Sequence, residues 1–97
     1  MSNYEPIQDE FQKLREDLTL LLLFLNSWDE EYKPMKIKFL RSWKGFDFGT
    51  LNTLSDNYLI SDSKKSKSIT FTEDGVIKAK KLLAVFKSYI ENGNFSE

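Results

Sequence analysis

The chain has 97 residues, 40% hydrophobic and 30% charged, with a net charge of -1 and neither histidine nor cysteine. That length can bury one small core, so a single domain over residues 1–97 is expected, and the composition excludes a disordered chain. The missing residue types exclude a disulfide framework and leave carboxylates as the only strong zinc ligands, so neither metal nor other cofactor is expected.

The longest apolar run, Leu20 to Leu25, is six residues and follows acidic flanks. A membrane span needs about 20 apolar residues and a signal peptide a basic start, so a bacterial-type, cytoplasmic protein is expected. Charge is unevenly spread. Residues 1–31 hold eight acids and two bases, whereas residues 32–67 hold eight bases (Lys33, Lys36, Lys38, Arg41, Lys44, Lys64, Lys65, Lys67) and three acids. A regional excess of +5 suits a polyanionic partner, and it equally suits plain solvation of a small surface.

In chain order, Ile7, Phe11, Leu14, Leu18, Leu21, Leu25 and Trp28 recur at alternating spacings of four and three, with Pro6 as a first helical residue. This predicts a long helix over about 6–28. Leu20, Leu22, Leu23 and Phe24 make its second half apolar nearly all round, so either the domain or a second subunit must cover it. After the acidic break Asp29-Glu30-Glu31, the segment Pro34–Trp43 reads two ways. Met35, Ile37 and Phe39 alternate with lysines as in a strand, while Met35, Phe39, Leu40 and Trp43 form a helical stripe. The helical reading is preferred because Gly45 can end such a helix in the left-handed conformation and Asp47 can cap the next.

A second helix is then expected over about 48–57, burying Phe48, Leu51 and Leu54 and exposing Thr50, Asn52, Thr53, Ser55 and Asn57. Phe46 and Leu51 would be its hydrophobic staple. Two helices over about 34–57 around a glycine-containing turn describe a helix-turn-helix. Leu59–Ser61 and Ser68–Phe71 follow as short strands, with Ile69 and Phe71 inward and Ser68 and Thr70 outward, joined by a polar tip rich in lysine. Thr72 repeats the capping grammar, with Phe71 and Val76 as staple and Glu73 and Asp74 in the first turn. A last helix over about 73–91 carries Val76, Ala79, Leu82, Leu83, Phe86, Tyr89 and Ile90. Trp28 and Trp43, both on apolar stripes, are expected in the core.

This order gives an α+β class, mostly helical, with a winged helix-turn-helix and a small two-stranded wing over about 58–71. Leu51, Leu54, Leu59 and Ile60, followed by Ile69, Thr70, Phe71, Thr72, Glu73 and Gly75, resemble the carboxyl half of small bacterial winged-helix regulators of the MarR and PadR kinds. More closely, LTLLLLFLNSW, SWKGFDFGTL and KSITFTEDG together resemble an uncharacterised family of short bacterial proteins with a predicted winged-helix domain. The resemblance implies a DNA-binding protein, a small transcriptional regulator. Thr50, Asn52 and Thr53 would face bases, with Asn57 marginal. Lys64, Lys65 and Lys67 would meet phosphate, and Lys44 would lie near the backbone with Arg41 beside it. The recognition helix carries no arginine for guanine and has Asp56, which phosphate repels.

The alternative is a winged helix kept for dimerisation or partner docking without DNA. A homodimer joined through the first and last helices is expected on either reading, with Ala79, Leu83, Phe86 and Ile90 on the seam. No enzyme is expected. No histidine or cysteine is present to act near neutral pH, no glycine-rich phosphate loop occurs, and the paired carboxylates sit at helix ends where capping accounts for them.

Overall fold

The computed structural model describes residues 11–92. In chain order these form α1 (Gln12–Leu25), β1 (Trp28–Tyr32), β2 (Ile37–Trp43), α2 (Phe48–Asp56), β3 (Ile60–Asp62), β4 (Ser68–Phe71) and α3 (Glu73–Glu91). The strands make one antiparallel sheet in the order β1-β2-β4-β3, and about half of the described residues are helical. Two β-β-α units, β1-β2-α2 and β3-β4-α3, are thus joined through the central pairing of β2 with β4.

One face of the sheet builds the core. Opposed residues of an antiparallel pair share a face, so the pairing of Ile60 with Phe71 and of Ser42 with Ile69 puts all four on one side. Ile60, Ile69 and Phe71 pack there with Leu20 and Leu23 of α1, Leu51 and Leu54 of α2 and Ala79 of α3, while Phe24, Leu40, Val76 and Leu82 close the edges. Phe24 meets Phe71 edge to face at 5.8 Å between ring centres.

The expected first helix is shortened. Its start at Pro6 lies outside the described residues, and at the other end Asn26 and Ser27 stop it. Asn26 donates from both its backbone and its side-chain amide to the Leu22 carbonyl, and the Ser27 hydroxyl donates to the Phe24 carbonyl at 2.6 Å. Local capping of this kind competes with further helix, so Trp28 begins a strand.

The helix preferred for residues 34–43 is a strand, and with it the helix-turn-helix is lost. The acidic segment read as a break is β1, whose Trp28, Glu30 and Tyr32 pair with Arg41, Phe39 and Ile37. A partner strand in the preceding ten residues decides between two periods that the segment alone leaves open. The hairpin turns at Lys33–Lys36, with Lys36 at φ 53° and its N–H donating to the Lys33 carbonyl. Residues Ile37–Leu40 pair only with β1, so this ribbon projects past β4. Gly45 ends no helix and is not in the left-handed conformation.

The elements from Asp47 onward lie close to the expected bounds. Only α2 is rotated: Thr50, Leu51 and Leu54 face the core, and Phe48 is 65% exposed. At about 100° per residue, 50, 54 and 51 follow one another around the helix and 48 lies about 60° beyond 51, so turning Thr50 inward carries Phe48 out to solvent. Trp43, expected in the core, is 62% exposed, because the strand's alternation sends Ser42 inward and Trp43 outward. Ser68, expected outward, is on that outer face but buried beneath Arg41, whose Nε donates to its hydroxyl at 2.9 Å.

Candidate functional site

Three surfaces carry the residues of interest. The first lies between α2 and the β3-β4 hairpin. Asp47 caps α2: its carboxylate accepts from the Thr50 N–H and from the Thr50 hydroxyl, both at 2.9 Å. The bond from the backbone, then that from the side chain, holds the Asp47 carboxyl below its ordinary pKa, since both favour the charged form. Thr50 is therefore a cap partner, 1% exposed, and not a base-facing residue. Asn52 is exposed, and the part-exposed Thr53 donates its hydroxyl to the Gly49 carbonyl at 3.1 Å. Asn57 is exposed at the helix C-cap.

Lys44 is a strut. Its Nζ lies 2.6 Å from Asp62 Oδ1, a close ion pair without hydrogen-bond alignment, and donates to the Ser63 carbonyl at 2.7 Å. Its own N–H donates to the Lys67 carbonyl, so the segment leaving β2 is fastened to both sides of the hairpin. The ammonium group expected near phosphate is thus engaged internally. Lys64, Lys65 and Lys67 are exposed at the tip. A shallow cleft brings Lys44, Lys64 and Asn52 together with Phe48, Asp56 and Asp62, while Thr50 does not line it.

The second surface runs along α1 and α3. Leu20, Leu21 and Leu23 are buried, but Phe11, Leu14, Leu18, Leu22 and Leu25 form an exposed stripe on the far side of α1. Leu21 and Leu25 also line a groove with Leu83, Phe86 and Ile90 of α3. Of the residues expected on the helical seam, Ala79 is spent within the monomer, whereas Phe86 and Ile90 remain exposed. Asp17 of α1 meets Lys78 of α3 at 3.2 Å, tying the N-terminal halves of the two helices, and Lys13 of its own helix at 3.1 Å.

The third is the outer face of the sheet, where Trp28, Glu30, Tyr32, Ile37, Phe39, Arg41 and Trp43 project by the strand register. The Trp28 and Trp43 rings lie 4.9 Å apart, tilted by 44°, and Trp28 Nε1 donates to Glu30 at 2.9 Å. This face escaped the sequence reading. Its signal was the period-two pattern of Phe39-Arg41-Trp43 with Trp28-Glu30-Tyr32, legible once both segments are strands.

Among the described residues no helix is long and apolar enough to cross a membrane. No curated protein and no solved structure matches the chain. A family model described as "Domain of unknown function (DUF6429)" matches residues 12–89, from the first residue of α1 through the whole sheet to the last turns of α3. The match takes in most of the chain and, but for Phe11 and Ile90, the residues of the three surfaces, and the chain belongs to the DUF6429 family.

Proposed function

We propose that this domain is a protein-interaction module that pairs with a second copy of itself through α1 and α3. The observation that carries this reading is the exposed stripe Leu14, Leu18, Leu22 and Leu25 of α1, whose Leu25 lines one groove with the exposed Phe86 and Ile90 of α3. A continuous apolar surface on a small domain marks an interaction site, and a self-complementary helical seam closes with two-fold symmetry. Sedimentation equilibrium at micromolar concentration tests it. The expected mass is twice the 11.4 kDa of one chain, falling to one chain in Leu18→Glu or Phe86→Glu with the helical signal retained. A single-chain mass for the unmodified protein overturns the pairing.

A second reading, duplex DNA as partner, has one observation in its favour. Lys64, Lys65 and Lys67 are exposed and make no ion pair among the described residues. They tip a hairpin set between α2 and α3, the order found in the second half of a winged helix, with Asn52 on the exposed side of α2. On this reading, alanine at all three lysines lowers the salt dependence of binding by up to about three phosphate equivalents. An unchanged slope removes the hairpin from any such interface.

A further inference from the structure

We infer that the outer face of the sheet is a stacking platform for single-stranded nucleic acid. This does not rest on the pairing of α1 and α3, which lies on the other side of the sheet. Strand β2 sends Ile37, Phe39, Arg41 and Trp43 outward, and β1 sets Tyr32 and Trp28 beside them. Trp43, Tyr32 and Ile37 are each at least half exposed, while Trp28, Arg41 and Phe39 are part-exposed, Phe39 beside the start of α3. Tryptophan left in water on a sheet, already tilted against a second tryptophan at 4.9 Å, offers a flat π surface where a base can stack.

The charges around this floor choose the occupant. At one end the β1-β2 turn carries Lys33 and Lys36, and at the other, where Trp43 pairs with Ser68, stands the hairpin with Lys64, Lys65 and Lys67. Between them Arg41 is held against the sheet by the Ser66 and Ser68 hydroxyls, to which its Nη2 and Nε donate. Of the acids of β1 only Glu30 lies on this face, where it offsets Arg41, so the positive charge is left at the two ends. Asp29 and Glu31 alternate to the opposite face, and Glu30 accepts the Trp28 indole N–H and lies 3.8 Å from Arg41. An aromatic strip with cations at both ends fits a chain of stacking rings on a polyanionic backbone. A protein surface would need no charge at both ends, and a duplex keeps its base faces inside its own stack. Seven residues of β2 run about 24 Å, room for roughly four nucleotides, the low end of site sizes on single-strand-binding folds.

Both tryptophans of the chain lie on this face, so intrinsic fluorescence reports on it directly. Oligo(dT) and oligo(U) of about 12 nucleotides, titrated at low salt, are expected to quench it saturably, and labelled oligonucleotide anisotropy should give the same affinity. Trp43→Ala, at an exposed position, should keep the fold by circular dichroism and weaken binding about tenfold or more. The double variant Lys33→Ala/Lys36→Ala should leave stacking in place and reduce the salt slope by about 1.4, at roughly 0.7 per phosphate on a single strand. It touches neither the tryptophans nor the hairpin lysines of the duplex reading. Three results would each overturn the inference: no quenching or anisotropy change with either oligonucleotide, undiminished binding in folded Trp43→Ala, or tighter binding to a duplex of equal length. Loss of self-association in Trp43→Ala without oligonucleotide binding would assign the face to a second copy instead.

Discussion

Gly75 approaches the backbone of Leu59 so closely that a Cβ at position 75 would lie 1.9 Å from the Leu59 carbonyl oxygen and 2.9 Å from its carbon. The carbonyl has little freedom to withdraw, because it accepts from the N–H of Thr72 at 3.2 Å and shares the Thr72 hydroxyl, at 3.0 Å, with the Tyr58 carbonyl at 2.7 Å. The same hydroxyl accepts from the Gly75 N–H at 2.9 Å as the cap of α3. One threonine therefore fixes both the start of the helix and its contact with the chain entering β3, and the glycine is what lets the two backbones meet. Gly75→Ala should destabilise by roughly 3 kcal/mol, although alanine is ordinarily the better helix former by about 1 kcal/mol. Gly45→Ala is the comparison, since nothing lies within 4 Å of an added Cβ there. Urea midpoints of the two variants check this, and equal midpoints would show that the Leu59 turn can move.

Tyr58 holds a conformation that suits glycine. It follows the C-cap Asn57 at φ 61°, with the Tyr58 N–H donating to the Ser55 carbonyl and the Leu59 N–H to the Leu54 carbonyl, both at 3.0 Å. That pair of bonds closes α2 with a left-handed residue, a place where side chains are strained. The tyrosine ring is mostly in solvent. Tyr58→Gly should accordingly stabilise by about 0.5–1 kcal/mol, visible as a raised Tm in calorimetry. A lowered Tm would mean that the ring contributes more than the backbone strain costs.

Asp47 gives α2 an acid-sensitive end. Its folded pKa is lowered by the bonds from Thr50, so its contribution is fully present above the ordinary carboxylate value of about 4 and is lost as pH falls through the lowered folded value. Asp47→Asn keeps an oxygen acceptor and removes the charge. The variant should be less stable than the parent near about pH 7, and the gap should narrow at a second pH below about 4, as the carboxylate loses its charge. Denaturant midpoints at the two pH values measure it. A gap independent of pH would assign the cap's contribution to geometry and not to charge.

Lys44 and Asp62 are both largely shielded, with side-chain exposures of 19% and 9%. Lys44→Ala leaves a nearly buried carboxylate without its cation and should cost about 2 kcal/mol. Replacing both, Lys44→Met with Asp62→Leu, should recover much of that loss, since the ion pair's own net worth is small once desolvation is counted. A double variant as unstable as the single one would show that the bond from Lys44 to the Ser63 carbonyl carries the effect. Any binding change in Lys44→Ala must therefore be judged beside its stability.

Local grammar carried the second half of the chain. Asp47 and Thr72 cap the helices expected of them, and α3 runs over Glu73–Glu91 as the periodicity of Val76, Ala79 and Leu82 implies. Caps, turns and helical stripes are settled within about ten residues, so they survive being read without the fold. Gly75 was visible as a letter, but its reason lies sixteen positions back, at the Leu59 carbonyl. The β1 strand hid in a run of acids whose only mark of order was a weak alternation, and β2 fitted a helix as well as a strand until β1 was placed beside it. A strand has no internal hydrogen bonds; its identity belongs to its partner. The same dependence on packing turned Thr50 inward, sent Trp43 to the outer face, tied Lys44 to Asp62 and laid Arg41 over Ser68, 27 residues away. Composition could place the lysines in one region of the chain, but only the sheet could set them at the two ends of an aromatic face.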